Sequence, residues 1–206
     1  MGEAGQVPVR GYREEDMRRI VVTEFVSLDG VMEDPRWTFQ FQRGPRADQF
    51  KNDELFAAGA MLLGRVTYEG FAKAWPVMEE GKTEFGVRMN TMPRYVVSQT
   101  LASADATWGP TTVIRGDVAA EVARLKNQDG GDLLVHGSNQ LAQTLITSDL
   151  VDELRLMVFP IVLGSGKRLF PDTLSAPARL TLAEAETAGD GVVLLTYRRS
   201  PTEQPA

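Results

Sequence analysis

The chain has 206 residues, with one His and no Cys. That is enough for a single domain with a sizeable core, and it excludes disulfides, a cysteine nucleophile, iron–sulfur clusters and Cys/His zinc sites. Lys and Arg number 22 against 28 Asp and Glu, a formal net charge of −6. The basic residues are scattered, which argues against nucleic acid and against a polybasic membrane anchor. No apolar run approaches the roughly 18–20 residues of a membrane span and no leader signal opens the chain, so a cytoplasmic location is expected. An enzyme of this composition needs a reactive atom from elsewhere, and hydride transfer from a bound cofactor supplies one.

Residues 1–16 are polar, carry Gly and Pro and lack periodicity. They read as a flexible N-terminal extension, followed by one domain at 17–199 and a frayed tail at 200–206. Residues 20–27 are β-branched and run into Leu28-Asp29-Gly30, which marks a first strand and its turn. Residues 47–58 set Phe50, Leu55 and Phe56 among charges and predict a helix. A short buried strand at 60–63 and a helix at 67–74, stopped by Trp75-Pro76, come next. Strands follow at 94–98 and 112–114. Asp117, ahead of Val118, Val122 and Leu125 at helical spacing, predicts a capped helix over 117–127. Then come a strand at 132–136, a helix at 139–146 and a long buried strand at 153–162 bent at Pro160. Strands at 180–186 and 191–198, joined through Gly189-Asp190-Gly191, close the sheet.

Strands alternating with helices imply an α/β fold with a mostly parallel central sheet and helices on both faces. The helix-free last quarter implies an antiparallel C-terminal hairpin. Ligands of such sheets bind beyond the carboxyl ends of the strands, against helix N-termini. The turns at 28–30, 64–67, 98–100, 115–117 and 136–139 are therefore the places where chemistry is expected.

Gly64-Arg65-Val66-Thr67 lies where a buried strand gives way to a helix. Glycine permits close backbone approach, the helix start offers free N–H groups, and Arg65 can grip a phosphate; an ordinary capped turn with a surface Arg is the plainer alternative. Gly137-Ser138-Asn139 is a second junction of this kind, on which a diphosphate could rest. His136 before it reads as a strand-end residue with its hydrogen bonds satisfied sooner than as a general acid. Ser98-Gln99 ends a third strand and could hold a ribose or its phosphate. The 163–167 segment (LGSGK) is not a phosphate loop, because Ile161 stands where the first Gly is needed and Arg168 where Ser or Thr is needed. Neither βα junction carries G-x-G-x-x-G, which disfavours a dinucleotide-binding Rossmann fold. Glu33, Asp34, Asp53 and Glu54 read as solvated charges. Trp37, Phe39, Phe41 and Phe50 could wall a pocket for a flat heterocycle or simply fill the core.

Together, Ser27-Leu28-Asp29-Gly30, Leu63-Gly64-Arg65-Val66-Thr67-Tyr68-Glu69, Tyr95-Val96-Val97-Ser98, Leu134-Val135-His136-Gly137-Ser138, Val151-Asp152-Glu153-Leu154 and Leu163-Gly164-Ser165-Gly166 resemble the dihydrofolate reductase-like superfamily. The likeness is nearest to the C-terminal reductase domain of bacterial bifunctional riboflavin deaminase-reductases and its stand-alone relatives, over about 17–199. The resemblance implies NADPH as cofactor. Gly64, Arg65, Val66 and Thr67 would meet its phosphates, Ser98 and Gln99 its ribose 2′-phosphate, Gly137, Ser138 and Asn139 its diphosphate, and Gly164 would border the nicotinamide. Asp29, Trp37 and Phe50 are the implied substrate contacts. In dihydrofolate reductases an acid on the first helix lies sixteen residues before the Gly of Gly-Arg, and that count from Gly64 lands on Asp48, the expected catalytic acid.

The chain departs from the pattern where His136-Gly137 replaces a Gly-Gly pair, and the zinc deaminase half is absent. Arg43, Arg46, Lys51, Lys167 and Arg168 are candidates for a substrate phosphate without forming an evident cluster. The reading is an NADPH-dependent reductase delivering hydride to a C=N or C=O bond of a small heterocycle, similar to 5-amino-6-(5-phosphoribosylamino)uracil reductase. The alternatives are true dihydrofolate reduction or a non-catalytic nucleotide-binding module. By resemblance a homodimer is expected, with the apolar strand 153–162 as its interface; no metal is called for.

Overall fold

In the computed structural model, which describes residues 17–200 apart from 173, 175 and 176, eight strands form one sheet among the described residues. The leader expected at 1–16 and the tail from 201 onward lie outside the described residues. The strands are β1 (Ile20–Ser27), β2 (Ala58–Gly64), β3 (Arg94–Val97), β4 (Thr111–Ile114), β5 (Asp132–His136), β6 (Glu153–Phe159), β7 (Leu180–Thr187) and β8 (Val193–Arg199). Their order is β4-β3-β2-β5-β1-β6-β8-β7. From β4 to β6 all neighbours are parallel, and β8 and β7 add antiparallel to that edge. This is the expected α/β sheet with its C-terminal hairpin.

The helices are α1 (Gly44–Ala57), α2 (Arg65–Ala74), α3 (Glu84–Thr91), α4 (Val118–Lys126) and α5 (Asn139–Thr147). Strand alternation sorts the core into two layers. On one face Val22, Val26 and Val135 meet Val122 and Leu125 of α4 and Leu141, Ala142 and Leu145 of α5. On the other, Val21, Met61 and Leu134 meet Leu55 of α1, Tyr68 of α2 and Met89 of α3. A smaller cluster joins Phe50 of α1 to Met157, Phe159 and Leu194. The chain moves outward from β1 through β2 to β4, returns to lay β5 between β1 and β2, and then crosses to β6 beyond β1. That reversal falls at the carboxyl ends of β1 and β5, the usual ligand position in such sheets.

Element boundaries shift where local chemistry decides them. Helix α1 opens three residues before the expected start, because Gly44-Pro45 supplies a favourable first turn. Strand β2 follows it directly at Ala58. Asp117 caps α4 as expected, its carboxylate accepting the Ala120 N–H at 3.1 Å. Helix α3 was not among the expected elements: Gly86 and Asn90 weaken its pattern, and Thr83 starts it by accepting the Gly86 N–H. Strand β6 stops at Phe159, short of the expected 162. It also pairs on both edges, with β1 and β8. Its hydrogen-bonding edges are therefore both used within the chain.

Arg94, at the start of β3, is a buried cation that closes one side of the molecule. Its guanidinium donates to the carbonyls of Met89 (3.0 Å), Met92 (2.9 Å) and Trp108 and lies 3.8 Å from the Trp108 ring centroid. Burial pulls its pKa down to about 10, still far above neutrality. Removing it strands three carbonyls in the core. Arg94→Met is expected to cost about 3 kcal/mol or more, a fall in Tm of roughly 6–12 °C, measured by thermal denaturation.

Candidate functional site

Two strand-to-helix turns, β2–α2 and β5–α5, meet at Ser138. The Gly64 N–H donates to Ser138 Oγ at 2.9 Å, the Ser138 N–H donates to Thr67 Oγ1 at 3.0 Å, and Ser138 Oγ donates to the His136 carbonyl at 2.9 Å. Ser138 sits in the left-handed region with φ 62°, preceded by Gly137 with φ 53°. A Cβ at Gly137 would come within 3.3 Å of Thr67 Oγ1, so glycine keeps this approach open. Neither α2 nor α5 has a side-chain cap, whereas α3 and α4 do. Their first N–H groups stay available to a ligand, with the positive ends of two helix dipoles side by side. The structure thus brings together Gly64, Val66, Thr67, Gly137 and Ser138. It places Asn139 at the same corner, but its amide nitrogen is engaged with the Arg168 carbonyl, tying α5 to the 160–169 segment.

Arg65 points along α2, where Glu69 one turn on accepts from it at 3.0 Å through both carboxylate oxygens. A groove beside it is lined by Tyr68, Glu69, Thr100, Leu101 and Asp105, among others. The Ser98 hydroxyl is turned inward, accepting from the N–H groups of Thr100 (3.1 Å) and Leu101 (2.9 Å), so it shapes the turn and offers little to a ligand. Gln99 is exposed at the turn and contacts the Gly116 carbonyl at 3.4 Å. Arg115, passed over in the sequence, reaches the Leu101 carbonyl and brings a second cation to this turn.

Asp29, expected as a substrate contact, is engaged as a clamp between two segments. Its carboxylate accepts from Ser27 Oγ (2.6 Å), the Leu163 N–H (3.1 Å) and the Gly164 N–H (2.8 Å). Those donors, the Ser27 hydroxyl first, hold its pKa down at about 2. Backbone bonds from Leu28 to Ile161, Met32 to Lys167 and Leu169 to Gly30 finish the seam. Gly164, with φ +77° and open space where a Cβ would stand, is fixed by this clamp.

The helix α1 residues differ most from expectation. Asp48 is exposed on the flank of α1 turned from the sheet, with only its carbonyl engaged, by Asn52. Phe50 is 5% exposed and belongs to the core cluster with Met157, Phe159 and Leu194. Trp37 is half-buried, stacked edge-on to Phe159 at 5.4 Å. The polar group that α1 does send to the sheet is a pair, Lys51 and Glu54. Lys51 Nζ pairs with Glu54 Oε1 and donates to Thr23 Oγ1 at 3.0 Å, while the Thr23 hydroxyl donates to Glu54 at 3.0 Å. Glu54, expected as a solvated charge, is buried, and its second oxygen lacks a partner. His136 stands opposite Thr23 on β5. It too is buried, with Nε2 unpartnered, and burial together with the Lys51 charge pushes its pKa well below the usual imidazole range. A neutral, enclosed His136 is no general acid.

Lys51 and Arg43 flank the half-buried Phe25 ring at 5.2 Å and 5.5 Å. Of the other basic candidates, Arg46 pairs with Glu184 and Glu186, Lys167 with Glu33, and Arg168 donates to the Asp29 carbonyl. The five therefore do not converge. A signal for Lys51 and Glu54 did exist: they share the i, i+3, i+4 face of Ala47, Phe50 and Leu55, which turns them inward. Among the described residues no group of His, Asp and Glu could hold a metal, and no helix is long and apolar enough to cross a membrane.

The Asp29 clamp has a defined pH response. Because its folded pKa lies below the ordinary carboxylate value of about 3.9, its contribution is complete above that value and fades as pH falls toward 2. Hydrogen exchange should show the Leu163 and Gly164 amides protected at pH 5 and markedly less so at pH 3. Asp29→Asn, which exchanges one acceptor oxygen for a donor, should lower their protection at both pH values while the β1 amides stay protected.

Similarity to known proteins agrees with this geometry. Residues 18–194 match the family model of the RibD C-terminal domain. YyaP, an uncharacterized protein of Bacillus subtilis, is 30% identical over 186 residues, covering 87% of this chain and 94% of that protein. The crystal structure of a putative riboflavin biosynthesis protein from Shewanella sp. PV-4 superposes with a TM-score of 0.71 at 21% identity, over 89% of this chain and 99% of that one. Dihydrofolate reductase from Enterococcus faecalis, complexed with NADP(H), gives a TM-score of 0.55 at 14% identity, over 89% and 97% of the two chains. Sheet order, paired βα turns and the matched sequence leave one assignment: the chain belongs to the RibD C-terminal domain family and has the dihydrofolate reductase-like fold.

Proposed function

We propose that the protein is an NADPH-dependent reductase of a small planar heterocycle with a C=N or C=O bond. The observation that carries this reading is the junction at Ser138, where two uncapped helix N-termini are locked side by side at the switch point of the sheet. A diphosphate matches that arrangement in charge and in hydrogen-bond donors. The glycine cradle supports the fit, since a side chain at Gly137 would fill the space against Thr67. Family membership and the NADP(H) complex of the dihydrofolate reductase of like fold add support.

In this reading Gly64, Val66 and Thr67 at the start of α2, and Gly137 and Ser138 before α5, hold the diphosphate. Arg65, Gln99 and Arg115 surround the adenosine end, with Arg65 kept in place by Glu69. The Asp29 clamp fixes Gly164, which in this reading borders the nicotinamide. Bound in this way, the reduced dinucleotide supplies a hydride. On the substrate side, Phe25 offers a flat apolar surface, and Lys51, steadied by Glu54 and Thr23, holds a proton beside it. That gives Lys51 the role expected of Asp48, which is on the wrong flank. For the same reason dihydrofolate is not the favoured substrate.

The test is a binding and turnover series. NADPH at a hundred times its Kd should stabilise the fold by about 2.7 kcal/mol, a rise in Tm of roughly 5–10 °C. No shift with NADPH or NADH at millimolar concentration would sink the cofactor assignment. Arg65→Ala should weaken NADPH about tenfold, the loss of one charge-assisted contact, and NADH clearly less. Lys51→Met should leave NADPH affinity in place and lower turnover of a heterocyclic acceptor by roughly a hundredfold, the scale of a lost proton donor. Tight NADPH binding without oxidation by any pterin or pyrimidine would instead mark a nucleotide-binding module.

A further inference from the structure

Glu24 is the one acid in the middle of the sheet's central strand, and the reductase reading gives it no role. It is 5% exposed and lies on the face of β1 shared by Val22 and Val26, opposite Leu156 of β6. One carboxyl oxygen is buried without any partner. By register Glu24 lies beside Gly137, which opens the turn into α5, since Thr23 pairs with His136 on the neighbouring strand. No cation is bonded to it. Lys51 attracts it only from the opposite face of the sheet, where that ammonium is already bonded to Glu54 and Thr23, and Glu54 repels it. His136, on the neighbouring strand, is neutral and on that opposite face, and α5 has no charged residue in its span.

A carboxylate enclosed in this way would lose its hydration with no charge to replace it, so the uncharged acid is the favoured form. Burial accordingly pushes the Glu24 pKa well above the usual range. The Gly137–Ser138 turn is costly to hold, because both residues occupy the left-handed region and Ser138 has a Cβ to accommodate there. Ser138 is pinned by Thr67 and Gly64, and Gly137 directly follows the pairing of His136 with Thr23 that sets it beside Glu24.

We propose that Glu24 is a pH-responsive group behind the anion-binding turn: uncharged, it leaves the positive field at the N-terminus of α5 intact, and ionised, it sets a negative charge behind that N-terminus and drives an anion off. The anion part rests on reading that turn as the diphosphate site. Linkage makes the effect reciprocal, so a bound anion would favour protonation of Glu24.

Two arms test it, the first without any ligand. In infrared difference spectra between the wild type and Glu24→Gln at pH 7, the wild type should show the carbonyl stretch of a protonated carboxylic acid. Thermal denaturation should give similar Tm values at pH 4.5, with Glu24→Gln the more stable by at least about 3 °C at pH 8. The sign follows from a raised folded pKa, whose contribution is lost as pH rises above the unfolded value. Absence of the acid band, parallel Tm profiles, or a Glu24→Gln protein that cannot fold would each overturn the proposal, since a neutral carboxyl tolerates its neutral amide. In the second arm NADPH affinity of the wild type should fall about tenfold between pH 7 and pH 9.5, while that of Glu24→Gln stays flat. Identical pH profiles would overturn the gating with the cofactor reading intact. No NADPH binding by either protein would overturn the cofactor reading and the gating together, while the first arm would still decide whether Glu24 is the uncharged acid.

Discussion

The exchange of hydrogen bonds between Gly64, Thr67 and Ser138 holds the rest of the site in place. Strands β2 and β5 are neighbours in the sheet, so their helices α2 and α5 start close together on opposite faces. Two helix N-termini this close repel, because each has roughly half a positive charge. Side-chain oxygens from Thr67 and Ser138 accept an N–H from the other turn and bridge the gap. The bridge uses hydroxyls and no carboxylates, so it fixes the geometry without cancelling the positive field. An acidic cap, such as Asp117 on α4, would have satisfied the same donors and spent the field.

Much of this was legible in the sequence, because glycine turns after β-branched runs have a narrow set of conformations. The strand ends at Gly64 and His136 fall where the pattern of residues places them, and with them the two βα corners. Strand β1 and the antiparallel closing pair were likewise readable from alternation and from Gly189-Asp190-Gly191. What escaped is phase and contact at a distance. Counting sixteen residues back from Gly64 assumes a fixed connection, whereas α1 runs into β2 without a loop. The helix phase then sends Lys51 and Glu54 to the sheet and Asp48 to solvent. Asp29 was recognisable as a turn residue, but its partners lie more than 130 positions away at Leu163 and Gly164. Helix α3 escaped because weak helix formers are held there by tertiary contacts: Met89 is buried in the core, and its carbonyl binds Arg94.

The two sides of the candidate site are held by different physics. The side proposed for the cofactor is built from neutral hydrogen bonds and backbone dipoles, with Arg65 and Arg115 at its outer end. The side proposed for the substrate is built around an enclosed ion pair, Lys51 with Glu54. Leaving either charge alone there would be costly, whereas both together, with Thr23 bonded to each, are tolerated. Such a pair is more easily justified as machinery than as scaffolding, because apolar residues of similar volume stabilise a fold at least as well.

This division also explains how a chain with one histidine can manage proton chemistry. His136 is enclosed, and burial, with the Lys51 charge beside it adding to the effect, holds its pKa well below the usual imidazole range. The same charge acts through the sheet on Glu24, where it opposes burial and is outweighed by it. One buried ammonium therefore sets the electrostatics of both faces of β1. It adds to the burial that disfavours a charged histidine on its own face, and on the other it offsets only part of the burial cost that favours the uncharged Glu24. The carboxyl beneath the anion-binding turn is uncharged for want of a cation on its own side of the sheet.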